Sequence, residues 1–142
     1  MDSLRSGGLP RWAALSACGD AAVILLFAAI GRSSHHAAEN GQILGAVGTA
    51  APFLAGWFLS AFAFGGYRAD ALSSPGAAAR RAARVWIPGG LIGCAVRSAI
   101  EGHITPAAFV AIALGFNLVL LAAWRAALTR ALQGLRPGSA TT

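Results

Sequence analysis

Lysine is absent from this chain, acidic residues number only five, and charged side chains make up 11% of its 142 positions. Soluble domains carry about a quarter charged residues, so too little charge is present to clothe an ordinary water-facing surface. Cysteine is limited to Cys18 and Cys94. Both lie in apolar runs without CxxC or zinc-like spacing, which argues against a disulfide framework and for small packing residues. Also missing are an HExxH or DxD motif and a nucleophile–base pair. No catalytic, cofactor-binding or metal-binding residue is therefore assigned, and a cofactor is not expected. What remains is one domain, by length, whose composition belongs in lipid.

Hydrophobic residues make up 56% of the chain and gather in four runs. The expected transmembrane helices cover about 12–31, 47–67, 84–101 and 106–128, within a domain spanning 12–128. About 20 helical residues at ~1.5 Å each cross the ~30 Å hydrocarbon core. The third run reaches that length only by borrowing Arg84 and Glu101. Helix is required because lipid offers no partner to open backbone groups, and the runs lack the alternation of barrel strands. The fold class expected is an all-α, integral membrane four-helix bundle. Asp20 and the length of the first run argue against a cleaved signal peptide.

All eleven basic residues are arginine, and net charge is +6. Arg5, Arg11, Arg68, Arg80, Arg81, Arg84, Arg125, Arg130 and Arg136 fall to one side of the expected bundle, Arg32 and Arg97 to the other. Basic flanks stay inside, so residues 1–11 and the tail 129–142, read as disordered at its end, are both expected in the cytoplasm, with the bundle in the cell membrane. The flanking positions fit topology signals, not a nucleic-acid stripe. Ser74 and Pro75 read as N-cap and first position of a helix carrying Arg80, Arg81 and Arg84 into the headgroup layer, where they attract anionic lipid. Pro88 is expected to kink or restart that helix. The Ala, Gly and Arg bias suits a GC-rich bacterial genome. Trp12, Trp86 and Trp124 suit an aromatic belt at the inner boundary, whereas Trp57 falls mid-helix and should pack on a neighbour.

Helices in lipid associate through close backbone contact, so small residues mark seams. Gly48, Pro52, Gly56 and Ser60 recur every four residues, as do Gly89, Gly93 and Arg97, and Ala107, Ala111 and Gly115. These faces suit a tight bundle, a homo-oligomer or another membrane protein. Asp20, Arg97 and Asn117 are the costly groups. Counted along the apolar runs, all three lie near the midplane and form a candidate polar cluster. Arg97 equally suits snorkelling outward, and Asn117 suits helix–helix adhesion. His35, His36, Glu39 and His103 read as solvated loop side chains, not zinc ligands.

Several stretches resemble the domain-of-unknown-function 3054 family of small prokaryotic membrane proteins. They begin at Asp20 and run through Leu26-Phe27-Ala28-Ala29-Ile30-Gly31-Arg32-Ser33-Ser34-His35 and Thr49-Ala50-Ala51-Pro52-Phe53-Leu54-Ala55-Gly56-Trp57. Trp86 through Gly93 to Arg97, Phe109-Val110 and Trp124-Arg125 continue the likeness. The resemblance brings no activity. It implies emphasis on Asp20, Gly31, Arg32, His35, Pro52, Phe53, Trp57, Arg97, Trp124 and Arg125. Placed on the expected topology, Arg32 and His35 form a candidate outer-side pocket for an anion or polar headgroup. The expected role is non-enzymatic binding of a small ligand, lipid or partner. The alternative is a proton- or ion-coupled transporter acting as a homo-oligomer, with Asp20 as proton carrier.

Overall fold

A computed structural model describes residues 10–33 and 42–135. These residues form α1 (Arg11–Ser33), α2 (Gln42–Ala63), α3 (Pro75–Glu101) and α4 (Ala107–Gly134), with a single 3₁₀ turn at Ala69–Leu72. No strand occurs among the described residues. In length and composition α1, α2 and α4 suffice to cross a membrane, and α3 falls outside that set because arginines crowd its first half. Each helix packs on its neighbours in chain order, and α4 closes the ring against α1.

Helix boundaries depart from the apolar runs in ways that matter for the site. Ser74 caps α3, its Oγ accepting from Ala77 N at 3.2 Å, with Pro75 at the first position. The helix then continues to Glu101 with Pro88 inside it, so Pro88 does not restart it. Expected to reach residue 67, α2 instead stops at Ala63. Gly65 takes φ +67°, and Gly66 N donates to Ala61 O at 2.7 Å. This six-to-one bond past a left-handed glycine is the Schellman stop. At the other end of the chain α4 runs to Gly134, through residues expected in the tail. Residues 136–142 lie outside the described residues, as do 1–9 and 34–41.

The seam between α2 and α3 is built on glycine. A Cβ on Gly56 would collide with the carbonyl oxygen of Gly89, and one on Gly93 would lie 3.0 Å from Phe53 Cα. Phe53 sits in this seam, with its ring centroid 6.3 Å from Trp86 and 6.2 Å from Phe109. Pro52 is buried nearby. The row on α4 behaves differently: Ala107, Ala111 and Gly115 all face outward. Trp86 is also not a boundary residue. It is wholly buried and donates from Nε1 to Leu114 O at 2.9 Å, because the extra turns before residue 84 place it well inside α3. Cys94 is buried, as a packing residue should be, but Cys18 is exposed.

Candidate functional site: a buried polar cluster

Asp20 is fully buried, nine residues in from the start of α1. Arg125 is 1% exposed and lies nine residues before the end of α4. The two helices run in opposite directions, so both side chains sit ~14 Å from the same end of the molecule. They meet side-on. Arg125 Nε donates to Asp20 Oδ1 at 2.8 Å and Nη2 donates to Oδ2 at 2.6 Å. This two-pronged geometry is the strong form of a carboxylate–guanidinium contact.

The Schellman stop supplies the remaining partners. It turns the backbone so that Gly66 O accepts from Arg125 Nη1 at 3.0 Å. The next residue, Tyr67, reaches back and donates its hydroxyl to Asp20 Oδ2 at 2.7 Å. Trp57 Nε1 donates to the Tyr67 oxygen at 2.9 Å. Both rings also stack near the guanidinium, with Arg125 Cζ 5.0 Å from the Tyr67 centroid and 5.8 Å from that of Trp57. Tyr67 lies beyond the end of α2. Burial first, and then the Asp20 charge, push its phenol well above the usual range, so it remains a neutral donor. Thr129 Oγ1 closes the α4 side by bonding Arg125 O at 2.8 Å.

Gly19 admits α4 to this contact. A Cβ there would collide with the Trp124 indole, so the bare glycine lets Trp124 lie against α1 and brings Arg125 to Asp20.

The expected cluster of Asp20, Arg97 and Asn117 does not assemble. Arg97 is four residues from the end of α3, at the far end of the molecule from Asp20. Its Nη2 meets Glu101 Oε1 at 2.5 Å, and its guanidinium lies 4.9 Å over the Phe109 ring. Asn117 is buried, but it stands eight residues from Arg125, or ~12 Å along the helix, and donates to Ala113 O at 3.0 Å. Arg125, placed at the sequence level as an inner-boundary marker, is instead the true partner of Asp20. Of the expected outer pocket, Arg32 packs its guanidinium over Gly45 at the start of α2, while His35 lies outside the described residues. Gly31 is exposed on α1. Tyr67, Gly66 and Gly19 drew no attention in the sequence. A usable signal was there: the chain's sole tyrosine directly follows a Gly-Gly pair.

Replacing Tyr67 by Phe should separate its bond from the rest. Asp20 keeps both Arg125 contacts but loses a hydroxyl donor, and Trp57 loses its acceptor. A hydrogen bond to a charged group contributes ~1.5–3 kcal/mol. Thermal unfolding in detergent should show a loss in that range, with altered tryptophan emission. Wild-type values for both would mean the hydroxyl bond contributes nothing.

Residues 17–128 match a family model described as a protein of unknown function, DUF3054. The matched span contains Asp20, Gly66, Tyr67 and Arg125. Neither the curated proteins nor the solved structures contain a match to the chain.

Proposed function

The chain belongs to the DUF3054 family, and from its own geometry we propose that it is a non-catalytic integral membrane protein that crosses the bilayer four times, with both termini cytoplasmic, and binds a small ligand, lipid or partner. The observation that carries this reading is inverted polarity. Large apolar side chains point outward on every helix: Leu26 is 54% exposed, Phe62 91%, Leu91 51% and Val119 66%. Charge is held inside, in Asp20 and Arg125. Water would penalise that surface and lipid favours it. Because α3 packs lengthwise between α2 and α4, both apolar enough to cross, it crosses with them. Its 27 residues extend ~40 Å, more than the ~30 Å required. Paired with Asp20, Arg125 no longer counts as a topology signal, yet the other inner arginines still outnumber Arg32 and Arg97.

Transport gains less support. A proton-carrying carboxyl must open to water in one of its states, whereas Asp20 is fully buried and accepts two bonds from Arg125 and one from Tyr67. The test is carbonate washing together with reporter fusions at each terminus. The protein should stay in the pellet and both reporters should report cytoplasm. Release to the supernatant, or reporters in different compartments, overturns the reading. In proteoliposomes, proton flux should match that of empty liposomes, and flux abolished by Asp20→Asn would favour the transporter instead.

A further inference from the structure

On the outer surface of α1 and α2, near the end that holds the buried ion pair, lies a groove of about 370 Å³, within the ~300–1,000 Å³ of small-ligand sites. Ala13 and Ala17 of α1 and Ala61 of α2 form part of its wall, and their small side chains leave the recess. Phe62 flanks it. Tyr67 and Arg68 close the end where α2 stops. The groove is thus apolar along its length and cationic at its mouth.

We propose that this groove holds one acyl chain of an anionic phospholipid, with the lipid phosphate against Arg68. The inference rests on the membrane reading above. Charge at the mouth selects the headgroup. Arg68 is 76% exposed and touches Asp70 only at 4.0 Å. Arg81 is the residue committed to Asp70, at 2.5 Å, and to Gly65 O, at 3.1 Å. Arg11 in the first turn of α1 and Arg80 in the second turn of α3 are exposed at the same end, and among the described residues Asp70 is the sole exposed acid at that end. A phosphodiester there meets excess positive charge, and its chain enters the apolar slot lined by Ala13, Ala17 and Ala61. Tyr67 links the slot to the core, since one ring forms a wall of the groove and presents its hydroxyl to Asp20. A seated chain therefore braces the ion pair.

Native mass spectrometry of the full chain, extracted from vesicles of equal phosphatidylglycerol and phosphatidylcholine with matched chains, tests this. Wild type should retain phosphatidylglycerol about five-fold over phosphatidylcholine, the worth of roughly one arginine at the surface. Arg68→Gln should bring the ratio close to one. Ala17→Phe should abolish retention of both lipids by filling the slot. Phe62→Ala, at a side chain too exposed to affect folding, should weaken retention if Ala17→Phe does not accumulate. Val119→Phe, on the outer face of α4, should match wild type. Equal retention of both lipids by wild type overturns the proposal, as does wild-type retention by Arg68→Gln, or by Ala17→Phe and Phe62→Ala together. So does glycerol phosphate displacing the lipid, because the slot would then be irrelevant. Any of these results in protein that resists carbonate washing leaves the membrane reading standing; protein released by carbonate ends both.

Discussion

Asp20→Ala is expected to destabilise the protein by ~3–5 kcal/mol, the usual cost of stripping one partner from a buried ion pair. Arg125 would be left 1% exposed with Gly66 O as its remaining acceptor among the described residues. Domains commonly have only 5–15 kcal/mol in total, so the loss should appear in cells as failure to accumulate. Arg125→Met should do comparable harm, leaving Asp20 with the Tyr67 hydroxyl as its one remaining donor among the described residues. Arg125→Lys should rescue little, since an ammonium cannot grip two carboxylate oxygens and Gly66 O from one plane. Combining Asp20→Ala with Arg125→Met removes both charges and should recover most of the loss. Chemical unfolding in detergent of wild type, Asp20→Ala, Arg125→Met and the double variant gives the coupling directly, and at least ~2 kcal/mol is expected for groups in contact. Strictly additive losses would show that the pair does not act as a unit.

Asp20 was identifiable from sequence as a costly group, but its partner was not, and the reason is depth. Hydropathy ends the fourth run near residue 128, which leaves Arg125 at a boundary. The helix itself continues through Thr129, Arg130 and Gln133 to Gly134, polar residues that extend it beyond the apolar run. Counting from the true end brings Arg125 level with Asp20. The error with Arg97 is the mirror image. An apolar run beginning near residue 84 puts Arg97 in mid-membrane, whereas a helix beginning at Pro75 puts it near the far end, beside Glu101.

Facing was no easier to read than depth. A helix apolar on all sides has no stripe to show which face is inward. Ala107, Ala111 and Gly115 therefore repeat like a seam yet point outward. The seam between α2 and α3 was legible because both helices carry the small row and the two rows meet at Gly56 and Gly89. The link through Tyr67 depends on the Gly65–Gly66 stop, a backbone event that hydropathy passes over.

That contrast between rows leads to the second large effect. Gly56→Ala places a methyl against the Gly89 carbonyl oxygen and near Gly93 N, at 3.0 Å. These are backbone atoms, which cannot rotate away as a side chain would, so α2 and α3 must separate. Overpacking of this kind costs ~1–3 kcal/mol. In lipid, separated apolar surfaces gain no drive to close again, so the upper end of that range is expected. Gly56→Leu should prevent the bundle from forming. Gly48→Ala and Gly115→Ala make the same chemical change on the same kind of helix, yet nothing lies within 4 Å of either new methyl. Both should be neutral or slightly stabilising, since alanine is favoured over glycine in a helix by up to ~1 kcal/mol. Thermal unfolding of all four variants in one detergent decides the matter. If Gly56→Ala is as harmless as Gly115→Ala, then the glycine spacing reflects an Ala- and Gly-rich composition, and the close approach of α2 to α3 is not what holds the helices together.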